Sequence, residues 1–274
     1  MSVTAADIKK LRDMTGAGMM DCKKALTEAA GDFDKAIEIL RKKGQKVSAK
    51  RAGNEAKEGA VVALVSDDKT RGVVVKLSSE TDFVAKNQEF VDGVTSIAQA
   101  ALTSFPESLD GLMGASTASG TVKSTLDYLL TKFTEKMELT YERLEAPMVA
   151  PYIHMGNKAA VLVGLSAASD AAYDAGRDVA MQVAAMKPIA VSKDDVDPAT
   201  IAKELEIGKE LARKEGKPEA ILDKIAQGRL NKFFKETTLL AQAFVKDGKQ
   251  NVGAYLNSTE KDLTVTAFKH ITLG

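Results

Sequence analysis

A single cysteine, Cys22, excludes an internal disulfide and suits a reducing compartment. Tryptophan is absent, and the two histidines, His154 and His270, have no local acid, cysteine or second histidine at metal-ligand spacing. Nucleophile elbows and Walker loops are missing. Gly16-Ala17-Gly18 is no dinucleotide loop, since no strand precedes it and no third glycine follows at the required interval; it reads as a turn between helices. Lys23 and Lys24 beside Cys22 could lower its thiol pKa, but a small buried residue is the commoner role for a mid-helix cysteine. These absences argue against an enzyme. No apolar run approaches the roughly 18 residues of a membrane span, and no charged, apolar and small-residue series opens the chain as a signal peptide would. A cytoplasmic protein is the resulting expectation. Net charge is also lacking, with 38 Lys and Arg against 38 Asp and Glu, so global charge points to neither nucleic acid nor membrane.

What is present is a chain of 274 residues with 45% hydrophobic content, enough for a real core and for more than one domain. The first 57 residues carry a local excess, 13 Lys and Arg against 8 Asp and Glu, with Lys42, Lys43, Lys46, Lys50 and Arg51 gathered near their end. Capping signals divide this segment into three helices. Thr4 and Asp7 form a capping-box pattern ahead of Ile8 and Leu11. A second helix runs from about Met19 to Ala30 and closes at Gly31; a third starts after Asp32, places Phe33, Ala36, Ile37 and Leu40 on one face, and is expected to stop at Gly44 after basic Arg41, Lys42 and Lys43. Gln45 to Glu58 reads as a linker or exposed helix.

From Gly59 the period changes. Ala60–Val65 and Gly72–Leu77 are strand-like runs joined by the polar loop Ser66–Arg71, and Phe90, Val91, Val94, Ile97, Ala98 and Ala101 then recur at helical spacing. The order returns about 90 residues later, where Met148–Ile153 and Ala159–Leu165 flank the turn containing His154 and precede a helix through Val179, Val183 and Met186. Between strand and helix the first copy holds Ser79-Glu80-Thr81-Asp82-Phe83-Val84-Ala85-Lys86-Asn87. Thr81 could cap a helical turn there, with Asp82 at its positive end and Phe83 as a core contact. The second copy holds only small and acidic residues, Ser166-Ala167-Ala168-Ser169-Asp170, so the scaffold itself does not require an aromatic. Ser104–Ser124 reads as loop-rich, and Thr125–Leu144 as helix followed by strand. Asp197-Pro198 opens a helix with a narrow stripe of Ile201, Leu205, Gly208 and Ala212; the return after Gly216-Lys217-Pro218 carries Leu222, Ala226, Leu230 and Phe233. So narrow a seam, charged on its other sides, suggests a projecting antiparallel arm. The tail offers a helix near Asn251–Leu256 and a final strand, Leu263–Phe268.

Two motifs carry a family resemblance. Leu11-Arg12-Asp13-Met14-Thr15-Gly16-Ala17-Gly18-Met19-Met20-Asp21-Cys22-Lys23-Lys24-Ala25-Leu26, continuing into Gly31-Asp32 and Leu40–Gly44, and Thr81–Asn87, closely resemble the bacterial elongation factor Ts family. Coverage is nearly complete, with the duplicated core, the helical hairpin and the terminal module around Phe244-Val245 in family order. The resemblance implies an α+β fold: an N-terminal three-helix ubiquitin-associated-like domain with its linker (1–55), two core subdomains of duplicated antiparallel hairpin-plus-helix design (56–144 and 145–190), a projecting antiparallel helical hairpin (191–236), and a C-terminal module that completes the second core subdomain (237–274).

It further implies a non-enzymatic guanine-nucleotide exchange factor for the translational GTPase elongation factor Tu. Thr81, Asp82, Phe83 and Val84 match the segment implicated in dislodging that GTPase's magnesium, with the aromatic entering an apolar pocket. Lys23, Phe133, His154 and Val245 match other partner contacts. Phe133-Thr134 stands where relatives can carry Ile-Gly, and Lys246 stands where an apolar residue can occur. No cofactor, metal, nucleotide, membrane or specific nucleic-acid binding is implied for the chain itself, and a homodimer within a larger complex is compatible with it. The rival reading is an RNA-binding or ribosome-associated adaptor using the basic 42–51 segment, although aromatics are not interleaved there and no RNA motif is recognisable.

Overall fold

A computed structural model describes residues 3–274. Its first three helices are α1 (Ala5–Thr15), α2 (Met19–Glu28) and α3 (Phe33–Lys50). The backbone N–H of Asp7 donates to the Thr4 hydroxyl at 3.2 Å while the Thr4 N–H donates to the Asp7 carboxylate at 3.0 Å, the reciprocal arrangement expected from the sequence. Gly16 and Gly31, at φ of 66° and 88°, turn the chain between helices where a β-carbon would be strained. Leu11, Cys22, Leu26, Ala36 and Leu40 fill the small core.

The third helix corrects one sequence expectation. It does not stop at Gly44 but runs on to Lys50, so Arg41, Lys42 and Lys43 lie in its interior rather than its last turn. Gly44 is buried against a later helix, where an added β-carbon would lie 3.1 Å from the Cα and backbone N of Thr131. The glycine serves close helix approach. A C-cap glycine and a packing glycine leave the same mark in sequence, and only the tertiary contact separates them.

The strands β1 (Glu58–Val65) and β2 (Arg71–Ser79) form an antiparallel hairpin. After it come a single turn α4 (Asp82–Ala85), the long helix α5 (Gln88–Ser104), the short α6 (Leu109–Met113), the two-residue strands β3 (Ser116–Thr117) and β4 (Gly120–Thr121), and α7 (Val122–Phe133), so the stretch expected as loop holds short elements. Strand β5 (Glu138–Glu145) pairs antiparallel with β2. Strands β6 (Met148–Ile153) and β7 (Ala159–Leu165) follow with α8 (Asp170–Met186). Helices α9 (Pro198–Lys214) and α10 (Leu222–Thr237) form the arm, and β8 (Ala243–Phe244), β9 (Asp247–Asn251), α11 (Val252–Thr259) and β10 (Val265–Thr272) complete the chain. The final strand therefore reaches further than expected, and it pairs with β7.

Each of the two three-stranded sheets, β1-β2-β5 and β6-β7-β10, adds its third strand beside the second strand of its hairpin. Ala60, Val62, Val73, Val75 and Leu77 face a core shared with α5 and α7, whereas Val61, Ala63 and Val74 meet Val149, Ala160, Leu162 and Ile271 between the sheets. On the far face, Val161, Val163 and Leu165 pack with Ala172, Val179 and Val183 of α8. The result is helix, sheet, sheet, helix. Burial of both strand faces explains why these strands read as unbroken apolar runs rather than alternating ones.

The arm packs through a seam in which a β-carbon on Gly208 would lie 3.1 Å from the Ala226 Cα. Its other sides are less uniformly polar than expected, because Ile207, Leu211 and Ile221 remain exposed. Gly44→Val should destabilise the docking of α3 on α7 by about 1–3 kcal/mol, because backbone atoms there cannot yield as a flexible side chain would. By contrast, Gly228→Ala, in an open position of α10, should stabilise by up to about 1 kcal/mol. Chemical denaturation of both variants checks the contrast; equal signs would refute the packing role of Gly44.

Candidate functional site: an exposed aromatic on a braced turn

After β2 ends, Thr81 takes an extended conformation and caps α4, its hydroxyl oxygen accepting the Val84 N–H at 3.5 Å. Asn87 then caps α5, accepting the Glu89 N–H at 3.0 Å. Two caps this close fold the strand-to-helix link into one short helical step. Adjacent residues on a helix point roughly 100° apart, so burying one face turns the next side chain outward. Val84 is 8% exposed and packs in the α5 core; Phe83 is 84% exposed. The core-contact reading of Phe83 is thereby corrected. Beside it, the Lys86 ammonium donates to the Asp82 carboxylate at 2.7 Å, which holds the Asp82 pKa below its ordinary range and raises that of Lys86.

The turn is fixed from behind by residues distant in sequence. One Glu135 oxygen accepts the backbone N–H groups of Glu80 and Thr81, both at 3.1 Å, and the other accepts the Thr81 hydroxyl at 2.6 Å. In return, the Glu80 carboxylate accepts the Lys136 N–H at 2.6 Å, Asn54 Nδ2 at 2.7 Å and the Arg51 guanidinium at 3.1 Å. Burial pushes the Glu80 pKa up, but these donors outweigh it and hold the group below its ordinary value.

Across a groove from this turn lies the β6–β7 connection. Gly59, Asp82, Phe83, Lys86, Gly156 and Lys158 line the groove, so the two core halves meet at the exposed aromatic. His154 opens that connection, exposed, with Nδ1 3.2 Å from the Tyr152 hydroxyl. The next residue, Met155, is 87% exposed.

A family model described as "Elongation factor TS" matches residues 80–274. The chain is 50% identical over 273 residues to "Elongation factor Ts" of Christiangramia forsetii, covering 99% of each chain. It is 51% identical over 276 residues to that of Amoebophilus asiaticus, covering 100% of each, and 40% identical over 272 residues to that of Chloroherpeton thalassium, covering 96% of this chain and 94% of that one. The chain belongs to the elongation factor Ts family. The family model starts at Glu80, inside the braced turn, while the full-length relatives also span the N-terminal helices.

The remaining residues singled out by the elongation factor Ts resemblance lie on several elements. Phe133 is half-buried and packs edge-on against Phe90 with centroids 6.1 Å apart, directly before Thr134, which ends α7 at a φ of 54°. Lys23 is exposed on α2. Val245, 50% exposed, follows Phe244, whose ring stacks on Tyr255 at 4.1 Å; its N–H donates to the buried Gln182 at 2.8 Å. Lys246 donates to Asp178 at 2.6 Å, which gives this departure from the apolar pattern a structural partner. The groove thus gathers the Thr81–Phe83 part of the turn with Gly156 and Lys158 of the β6–β7 connection, whereas the His154 side chain lines a separate cavity with Tyr152 and His270, and Lys23, Phe133 and Val245 line neither.

Three residues at this site escaped sequence reasoning. Met155 was readable as a large apolar residue on a turn, but Glu135 and the brace made by the Glu80 side chain left no local pattern, because their partners are 26 to 56 positions away. Cys22 is buried, its thiol donates to the Ala17 carbonyl at 3.6 Å, and burial pushes its pKa up, which suits packing rather than nucleophilic chemistry. His154 and His270 line one cavity, yet among the described residues no group of His, Cys, Asp and Glu could hold a metal ion. No described helix is long and apolar enough to cross a membrane.

Exposure separates the neighbours Phe83 and Val84 experimentally. Phe83→Ala should change the stability of the free protein by no more than about 0.5 kcal/mol, whereas Val84→Ala should cost about 1–3 kcal/mol. Urea unfolding measures both; a Phe83→Ala loss matching that of Val84→Ala would return the aromatic to the core.

Proposed function

We propose that this elongation factor Ts family chain is a guanine-nucleotide exchange factor that binds elongation factor Tu, disturbs its magnesium site and promotes GDP release so that GTP can rebind. The observation that carries the reading is Phe83, a large aromatic left 84% exposed on a turn held by the distant Glu135 carboxylate and by the contacts of the turn's own Glu80 with distant donors. Leaving such a ring in water forgoes about 1.5–3 kcal/mol of burial, which a partner's apolar pocket can supply. Thr81, Asp82, Phe83 and Val84 form the intruding segment. Lys23 on the N-terminal domain, Phe133 and His154 on the two core halves, and Val245 on the terminal module add further contacts.

In P-loop GTPases magnesium bridges phosphate oxygens and protein ligands, so displacing the segments that hold it weakens nucleotide binding without contact to the base. The coupling is reciprocal. A factor that favours the nucleotide-free partner must lose affinity when nucleotide returns. Converting a nanomolar ligand into a micromolar one requires about 4 kcal/mol. A single buried Phe yields less than that, so several contacts share the task and Phe83 directs part of their binding energy toward the magnesium site.

The proposed organisation is a ubiquitin-associated-like domain and linker in 1–55, core subdomains in 56–144 and 145–190, a coiled-coil-like arm in 191–236 and a completing module in 237–274. A homodimer within the complex is compatible with this arrangement, and cytoplasmic location follows from a role in translation. The RNA-adaptor alternative is weakened by charge pairing: Lys42 contacts Glu38, Lys43 contacts Asp21 and Arg51 contacts Glu80, so three of the five basic residues are already engaged.

Stopped-flow release of GDP from elongation factor Tu tests the reading. The unmodified chain should accelerate release, and Phe83→Ala should lower the saturating rate about tenfold or more. No acceleration by the unmodified chain would refute exchange activity; full acceleration by Phe83→Ala would refute the intruding aromatic alone.

A further inference from the structure

We propose that Glu135 is a positioning residue that sets the orientation of Phe83, with the Glu80 carboxylate as its reciprocal brace. The inference rests on the reading of Phe83 given above. The last β2–β5 pair is Ser78 with Glu138, so the N–H groups of Glu80 and Thr81 lie beyond that ladder as the chain leaves the sheet. Glu135 supplies one acceptor oxygen to both. Its other oxygen accepts a hydrogen bond from the Thr81 hydroxyl, leaving the lone pairs of that hydroxyl available to the Val84 N–H. The carboxylate therefore fixes both the backbone entering α4 and the rotamer of the side chain that caps it.

A four-residue helix has no independent stability, since fixing its backbone costs more than its two i to i−4 hydrogen bonds, from the Ala85 and Lys86 N–H groups to the Thr81 and Asp82 carbonyls, return. Val84 anchors one side of it, but nothing in the core constrains Phe83. The distant brace supplies that constraint. Thr134, in the left-handed region, turns the chain after α7 and brings Glu135 to the Glu80 and Thr81 amides; Lys136 then donates its N–H to Glu80. Lys136 also donates from its ammonium to the carbonyls of Ala52 and Asn54 at 2.9 and 3.0 Å, so the segment following α3 is tied into the same knot. An ordered turn loses less freedom on meeting a partner, and the orientation of Phe83 is set before contact.

The test combines exchange kinetics with a local probe. In stopped-flow GDP release at saturating factor, Glu135→Ala is expected to lower the rate about tenfold. Glu135→Gln, which keeps an acceptor for the two N–H groups, should stay within about threefold of the unmodified chain. The double variant Phe83→Ala with Glu135→Ala should be no slower than Phe83→Ala alone, because Glu135 acts through that ring. Since the chain has no tryptophan, F83W supplies the only indole, and its fluorescence anisotropy should fall in F83W/E135A but hold in F83W/E135Q. Unchanged anisotropy in F83W/E135A overturns the inference whatever the kinetics. So does multiplication of the two rate losses in the double variant, or full exchange by Glu135→Ala when Phe83→Ala is defective. Full exchange by Phe83→Ala with the expected fall in anisotropy would instead refute the proposed role of the aromatic while leaving the positioning role of Glu135 intact.

Discussion

The apolar layer between the two sheets decides where everything else lies. Val61, Ala63 and Val74 from one sheet meet Val149, Ala160 and Leu162 from the other, and each sheet must then cover its outer face with helices. This packing places the end of β2 beside the β6–β7 connection, so Phe83 faces Gly156 and Lys158 across one groove although they come from separate halves. A looser sheet contact would leave two unrelated surface loops. Shared burial converts them into a single surface with an aromatic at its edge.

Within that frame, the link between strand and helix divides its tasks between neighbouring residues. Val84 anchors the step in the core, Thr81 caps it, and Phe83 is left in water. The second half solves the same strand-to-helix connection differently: Ser169 caps α8 directly by accepting the Ala172 N–H at 3.0 Å, with no intervening helical turn. A simple connection is therefore sufficient for this architecture. The extra step, its exposed ring and its brace are additions to the scaffold, and the geometry locates them together.

Much of this was legible because it is local. The Thr4 and Asp7 capping pair and the Ser66–Arg71 loop each involve residues a few positions apart, and their side-chain chemistry dictates the backbone they favour. The exposure of Phe83 was hinted at by its absence from the second half. What escaped was non-local. Gly44 looked like a helix end because its reason for being glycine lies in the backbone of Thr131, and Glu135 looked like any surface acid because the amides it serves belong to another segment. Secondary-structure pattern assigns elements well but is blind to the atoms brought against them.

In the proposed function the braced turn presents Phe83 to the magnesium-binding region of a translational GTPase. Photo-crosslinking from benzoylphenylalanine placed at position 83, in the assembled complex with nucleotide-free elongation factor Tu, tests it most directly. Mapping by mass spectrometry should find the principal adducts in the partner segments that hold magnesium, and excess GDP with magnesium should abolish them. Adducts confined to other surfaces of the GTPase, or persisting unchanged when nucleotide and magnesium are restored, would rule out this role for Phe83.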